Sequence, residues 1–556
     1  MRVVIIGGGS AGISTATRLR RLNENAEIII LEKTGEFAVS NCGLTYYLSG
    51  EVKSAEALIG TSVETMRQLY NIDVRLNHEV TAINRAQKTV SIEGYDDEPY
   101  DKLVIAIGAY QLRPDIDGVL ADNIFTIKNL ETIEKIKEYI SGVGAKNIVI
   151  VGGGLIGIEA AEAFIKLGLY PVIVEAAEHI IPPLDYEMAV IIQNYLREKG
   201  IPLYIQDKVM AFGDKEAVLA SGTKLPYDMA IIATGVRPDL KLSVLSELEL
   251  GSNGGLKVDE YMRTSDENIY AAGDDVEVTN FITDKKERVS HAGLAVKEAR
   301  IIADHLAGLN TKFGKVVNTA IVKSFDLAIG AVGANEETLR RNNIPYKKLH
   351  FYAKSHSGYY PGAEQMLFKL LFNAKGKILG AQGIGKDGID KRLDVILSYM
   401  QKGGTVYDLA KAELCYAPPF ATGRDAVNDL GGAAENILEG REVPIFYDEV
   451  DWDNQNCDVM IIDVRPQAKF AEAHIPNAVN IPMEAIRSNL DAIPHDKKVI
   501  LYCNHGRRSY LTSCILRNRG FDNIFNLSGG MDLYNEIQEN KQIRNESYER
   551  IVNMLS

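Results

Sequence analysis

RVVIIGGGSAGISTATRLRRLNENAEIIILE, residues 2–32, decides the architecture. RVVIIG (2–7) is a solid apolar run, as for a central parallel strand buried on both faces. It enters Gly7-Gly8-Gly9-Ser10-Ala11-Gly12, a helical pattern follows, and a second solid run, EIIILE, closes on Glu32. Gly7 permits the tight turn, Gly9 lets backbone approach a pyrophosphate, and Gly12 lets helix pack on strand. Phosphates then sit at the helix N-terminus, and Glu32 accepts from a ribose hydroxyl. The pattern returns at 147–175, where NIVIV leads into Gly152, Gly154 and Gly157, a helix, and PVIVE ending at Glu175. A lone glycine fingerprint is weak, because glycine turns without nucleotide exist. Strand, glycines, helix, strand and acid occurring twice is strong. YDKLVIAIGA (100–109) and YDMAIIATGV (227–236) add a further internal echo.

The 556 residues exceed one core, so three or four domains are expected. With 46% hydrophobic and 24% charged residues the balance is that of a soluble globular protein. A net charge of -14 argues against coating nucleic acid or an anionic membrane, so an anionic ligand needs a local basic cluster. Five scattered cysteines without a CxxC make neither a disulfide framework nor a zinc site. The N-terminal apolar run reads as mature structure rather than a signal peptide, and no stretch is apolar and long enough to span a bilayer. The expected location is the cytoplasm.

Two dinucleotide sites suggest one flavin and one nicotinamide. TSDENIYAAGD (264–274) resembles the second flavin motif of the two-dinucleotide-binding-domain flavoproteins, whose Asp reaches the ribityl and pyrophosphate region of FAD. The resemblance assigns FAD to the first site, with Lys33, Asn41, Gly273 and Asp274 joining Gly7, Gly9, Gly12 and Glu32. It assigns NAD(P)H to Gly152, Gly154, Gly157 and Glu175. Glu175 repels a 2′-phosphate, and Ala176 and Ala177 stand where an NADP site wants Arg, so NADH is favoured and NADPH left open.

FAVSNCGLTYYLSG (37–50) holds a lone cysteine, Cys42. Disulfide reductases of this superfamily carry CxxxxC here. In this chain Tyr47 takes the second place, so an internal disulfide is excluded and a mixed disulfide, a persulfide or a sulfenic acid remains. SNCGL resembles the single-cysteine branch of the pyridine nucleotide-disulfide oxidoreductases, which contains coenzyme A disulfide reductase, NADH peroxidase and NADH oxidase. Peroxide- and oxygen-handling members have a histidine in the first glycine turn, and GGGSAGI has none. The CoA members have an arginine-rich first helix, matched by Arg18, Arg20 and Arg21. By resemblance Ser10, Ser14, Arg18 and Arg21 are the CoA contacts, although at least one arginine is read as a solvated helix face. Residues 37–39, FAV, depart from the family, whose phenylalanine is nearer the cysteine.

SHSGYYPGAE (355–364), GKDGIDKR (385–392) and ELCYAPPF (413–420) resemble the CoA disulfide reductase dimerisation domain. There two tyrosines reach the partner subunit's cysteine, a role carried to Tyr359 and Tyr416, with Tyr360 as substrate contact and as the neighbour confusable with Tyr359. A phenol so placed hydrogen-bonds or protonates a leaving thiolate. Cys415 reads as a buried, inert thiol, or else as a resolving cysteine delivered across the dimer.

VMIIDVRPQAKFAEAHIPNAVNIP (459–482) is similar to the opening of a rhodanese domain, and LSGGMDLY (527–534) to its closing turn. Between them VILYCNHGRRSY (499–510) reads as a strand, a short loop and a helix. Cys503 to Arg508 form a six-residue cradle whose N–H groups converge on sulfur, with Arg507 and Arg508 adding charge, a setting for a persulfide anion. Among such donors, rather than apolar neighbours, Cys503 reads as catalytic with Arg508. Cys457 and Cys514 read as packing residues, and His505 receives no role.

The expected fold is α/β. It comprises an FAD domain (1–112 and 239–314), an NAD(P)H domain (113–238), an α+β dimerisation domain (315–437), a linker (438–450), a rhodanese domain (451–540) and a tail (541–556). The whole resembles a CoA disulfide/persulfide reductase fused to a rhodanese domain. The resemblance implies a homodimer with FAD, NADH and coenzyme A as substrate or bound thiol, and no nucleic-acid or membrane partner. A CoA-persulfide or polysulfide reductase ranks first and a CoA disulfide reductase second. An NADH oxidase or peroxidase and a non-enzymatic flavin redox sensor follow.

Overall fold

In the computed structural model the chain divides into two compact units. Met1–Ala177 and Ile201–Val316 form one; Glu178–Gly200 and Val317–Ser556 form the other. The structure describes residues 1–452 and 458–555, as backbone alone from 544 onward. Cys457 therefore lies outside the described residues.

The first unit contains two parallel five-stranded sheets. In one the order is Ile269–Ala271, Lys102–Ile105, Arg2–Ile6, Glu27–Leu31 and Asp73–Arg75. In the other it is Leu203–Ile205, Tyr170–Glu175, Asn147–Val151, Met229–Ile232 and Ile124–Thr126. The solid apolar runs are thus central strands; Val3, Val4 and Ile5 are sealed from solvent, as is Ile150. The two echo segments meet, with Ala109–Gln111 pairing antiparallel to Val236–Pro238.

The second unit carries an antiparallel sheet, Thr319–Ser324, Leu327–Gly333, Ile378–Gly385, Gln365–Phe372 and Lys347–Lys354. It also carries a parallel sheet, Pro444–Ile445, Ile524–Leu527, Lys498–Tyr502, Val459–Asp463 and Val479–Asn480.

Three expected boundaries move. Segment 438–450 is not a free linker, because Pro444–Ile445 adds an edge strand beside Ile524–Leu527 and Ile445 is buried. The tail from 541 continues the helix Gly530–Leu555. Residues 178–200, expected in the nucleotide domain, belong with the second unit. Lys369 explains this last change. It is fully buried and pairs with Asp185 at 2.8 Å, with Glu187 and with Glu336. A charge so deep requires partners. Burial alone would lower the Lys369 pKa, but the carboxylates of Glu187, Asp185 and Glu336 raise it well above the ordinary lysine range. Farther along the same segment, Gln193 and Arg197 bond Asn540 at 2.9 and 2.8 Å.

Candidate active site

Both glycine turns have one geometry. A Cβ on Gly7 would strike the Ala106 carbonyl oxygen at 2.2 Å, and one on Gly12 the Gly7 oxygen at 2.0 Å. Gly152 and Gly157 repeat this against Ala233 and Gly152 at 2.5 and 2.1 Å. At Gly9 and Gly154 a Cβ would meet nothing within 4 Å, so the space over each helix N-terminus is open, as a pyrophosphate requires. Glu32 accepts from the Gly8 N–H at 2.8 Å, and Glu175 from the Gly153 N–H at 2.7 Å, so each acid stands beside its turn. Lys33 lies 3.7 Å from Asp239.

The flavin-side acids carry the clearest sign of a polar ligand. Glu298 accepts from the Gly273 N–H at 2.7 Å, while its other oxygen and one oxygen of Asp275 are buried without partners. Burial raises the pKa of Asp274 and of Asp275, and pushes Glu298 up to about 7. Buried oxygens left unpaired are expensive, and the hydroxyls of a bound ribityl group would supply the donors they lack. The residues present fit FAD at the first turn and a pyridine nucleotide at the second.

Cys42 lies in the single turn Asn41–Gly43 that leads into the helix Leu44–Leu48, and its thiol is exposed. Phe37 is buried with its ring under Gly8, so it is a wall of the first glycine turn. The helix after Cys42 is tied to Glu159. Thr45 donates to it at 3.0 Å and Tyr46 at 3.3 Å. Glu159 belongs to Leu155–Lys166, the helix that starts at the second glycine turn. Burial raises the Glu159 pKa, and burial with that neighbouring carboxylate pushes Tyr46 up to about 12. Sequence reading missed Glu159; its sole mark is an acid within the apolar helix LIGIEAAEAFIK, which also holds Glu162.

The first-helix arginines divide. Arg20 is buried and donates to the carbonyls of Tyr70, Glu24 and Asn71 at 2.7, 2.6 and 2.8 Å, so it staples the fold and is no part of a ligand cluster. Arg18 is paired at 2.9 Å with the buried Asp304. Arg21 and Ser10 are exposed and Ser14 half-buried.

Tyr359 and Tyr416 are 77% and 52% exposed, and the neighbouring Tyr416 phenol raises the Tyr359 pKa. Tyr360 and Phe420 extend the same exposed aromatic surface. Arg392, the last residue of GKDGIDKR, ties the two tyrosine loops together. It donates to the Ser355 carbonyl at 2.6 Å and pairs with Asp425 at 2.9 Å. Ser357 closes the junction by donating from its hydroxyl to the Ala421 carbonyl at 3.1 Å. Cys415 is exposed, against the expectation of a buried thiol, because the chain after the helix Val406–Lys411 runs as a surface loop.

Cys503 ends the strand Lys498–Tyr502 and precedes the helix Arg507–Arg517. It is 4% exposed and caps an apolar cluster with Ile462 and Val499, so its neighbours are not polar donors alone, as expected; the strand delivers it straight from the core. The buried Ser509 hydroxyl lies 3.4 Å from its sulfur, and Arg507 and Arg508 are exposed at the rim. The closing turn holds the other end. The N–H of Met531 donates to the Cys503 carbonyl at 2.8 Å and that of Asp532 to the Asn504 carbonyl at 3.1 Å. Gly530, with φ +61°, allows this, since a Cβ there would meet both carbonyl oxygens at 2.4 Å. Cys514 is half-buried beside Tyr510.

Residues 1–299 match the family of pyridine nucleotide-disulphide oxidoreductases, 319–426 its dimerisation domain and 447–537 the rhodanese-like domain. A protein of Methanocaldococcus jannaschii named NADH oxidase is 35% identical over 79% of this chain and 99% of its own length. Coenzyme A disulfide reductase of Staphylococcus haemolyticus is 30% identical over 78% of this chain and all of its own. The solved structure of reduced Bacillus anthracis CoADR-RHD superposes with a TM-score of 0.94 at 37% identity, over 96% of this chain and 98% of that one. A NAD-dependent persulfide reductase from A. fulgidus gives 0.91 at 35% identity, over 96% of this chain and 100% of that one. Among the described residues no helix is long and apolar enough to cross a membrane. By these matches the protein is a member of the pyridine nucleotide-disulphide oxidoreductase family that carries a rhodanese-like domain over residues 447–537.

Proposed function

We propose that the protein is an NADH-dependent reductase of coenzyme A persulfide or polysulfide, acting as a homodimer with FAD. The observation that carries this reading is the exposed, unpaired Cys42, with Tyr47 where a second cysteine would stand. Its sulfur partner must then be the substrate's.

Gly7, Gly9, Gly12, Glu32, Lys33, Asn41, Gly273 and Asp274 would hold FAD, which would supply the electron pair brought by an NADH held at Gly152, Gly154, Gly157 and Glu175. The Cys42 thiolate attacks the sulfur bonded to CoA in CoA–S–SH, forming Cys42–S–S–CoA while HS⁻ leaves. Two electrons then break that bond, returning the Cys42 thiolate and CoA thiolate. Tyr416 and Tyr359 of one protomer serve the partner's cysteine, donating a proton to the departing thiolate. Arg21, Ser10 and Ser14 face the CoA phosphates, with Arg18 of the same helix held back by Asp304 and Tyr360 near the thiol end. Cys503 carries sulfane sulfur as a persulfide, with Arg508 balancing its charge, and covalent fusion raises the concentration of one site at the other.

A coenzyme A disulfide reductase uses the same residues and is favoured by the staphylococcal relative. The archaeal relative's name points instead to an NADH oxidase, but the turn GGGSAGI lacks a histidine. Wild type and Cys42→Ser, given NADH with CoA persulfide, CoA disulfide or oxygen alone, separate these readings by sulfide release, NADH loss and flavin spectra. Sulfide output unchanged in Cys42→Ser would remove Cys42 from the mechanism.

A further inference from the structure

His505 points out of the Cys503 cradle. Its ring stacks on Tyr352, with centroids 4.5 Å apart at 27°. Its Nε2–H donates to the Asp532 carboxylate at 2.7 Å, and the side-chain amide of Gln365 packs against the same ring edge, 2.9 Å from that nitrogen. Tyr352 and Gln365 sit on the paired strands Lys347–Lys354 and Gln365–Phe372 of the dimerisation domain, where Gln365 faces Lys354 in the last pair of the hairpin.

The cradle therefore has two kinds of support. Its beginning, Cys503 and Asn504, is held by the N–H groups of Met531 and Asp532 within the rhodanese domain. Its middle turns at Gly506, φ +91°, a residue with wide backbone freedom. Within the rhodanese domain Asn526 and Ser509 donate to the Gly506 carbonyl at 3.2 and 3.0 Å, and the contacts of His505 add a second restraint from outside it. Converging N–H groups stabilise a persulfide only while they stay aimed at one sulfur, and a loop displaced by about 1 Å can lose on the order of a hundredfold in rate.

We infer that the Cys503 site is composite, with Gln365 and Tyr352 of the dimerisation domain as positioning residues that act through His505. The inference rests on the reading that Cys503 carries sulfane sulfur. The Cys503 thiolate takes the outer sulfur of thiosulfate, releasing sulfite and leaving Cys503–S–S⁻; cyanide then takes that sulfur as thiocyanate and restores the thiolate. None of these steps uses flavin.

The test is thiocyanate formation by the full-length protein in wild type, Cys503→Ser, Gln365→Ala, His505→Ala and the double variant. Gln365 is exposed, so its truncation leaves the core intact. Gln365→Ala and His505→Ala should each lower kcat, about tenfold or more for His505→Ala, with KM for thiosulfate unchanged, and the double variant should lose no more than His505→Ala alone, because Gln365 acts only through His505. Single losses below twofold, a loss confined to KM, or losses that multiply in the double variant would overturn the inference. Wild-type thiocyanate formation by Cys503→Ser would instead overturn the reading beneath it.

Discussion

The guanidinium of Arg392 meets the carboxylate of Asp425 at 2.9 Å, with 2% and 3% of the two side chains exposed. Through Ser355 and Asp425 this one side chain joins the loop of Tyr359, the loop of Tyr416 and the start of the helix Ala426–Leu438.

Arg392→Met should lower stability by about 3 kcal/mol, because it strands the buried Asp425 charge. NADH turnover should fall with it, as both tyrosine loops loosen. Urea unfolding gives the first quantity and NADH loss with CoA disulfide the second; a midpoint equal to that of the wild type would show the pair contributes nothing.

Arg18 and Arg21 should separate in kinetics. Arg21→Ala is expected to raise KM for CoA disulfide about tenfold at unchanged kcat, as loss of one charge-assisted contact does. Arg18→Ala should mainly lower the unfolding midpoint, since Asp304 is 3% exposed and would lose its partner at 2.9 Å. Equal effects of both substitutions on KM would contradict this division.

Glu298 makes the apoprotein's stability depend on pH. Burial holds its pKa at about 7 in the folded chain, against an ordinary 4.5. Its protonated form therefore favours folding below about pH 4.5, and that contribution is lost as pH rises towards 7, up to about 3 kcal/mol. Glu298→Gln, which cannot ionise, should match wild type at pH 4.5 and exceed it at pH 8. The check is urea unfolding of flavin-free protein at both values, and an advantage that shrinks as pH rises would reverse the expected sign.

Ser509→Ala removes the hydroxyl beside the Cys503 sulfur. Thiosulfate–cyanide transfer should lose about tenfold in kcat with KM retained, the size of one hydrogen bond to a charged sulfur. A rate equal to that of the wild type would show that backbone N–H groups suffice.

Local patterns were legible and long-range partnerships were not. Gly7 to Glu32 and Gly152 to Glu175 state their geometry within about thirty residues, and CNHGRRS states its own in seven. The edge strand Pro444–Ile445 was hidden in a charged, patternless segment, since two residues carry no periodicity. Cys415 looked like a packing thiol and is exposed because neighbouring loops, not its own residue type, set its depth. The roles of Glu159, Arg392 and His505 were not legible, because each acts on groups distant in the chain.

The amino-acid order alone determined that two nucleotide folds, a solitary thiol and a rhodanese-like cysteine loop share this chain, because turns and strands obey short-range sterics and hydrogen bonding. Only tertiary packing decided that 178–200 leave the nucleotide domain for Lys369, and that the dimerisation hairpin grips His505. Burying a charge or holding a flexible loop demands partners that chain neighbours cannot supply, and which partners arrive depends on the whole fold.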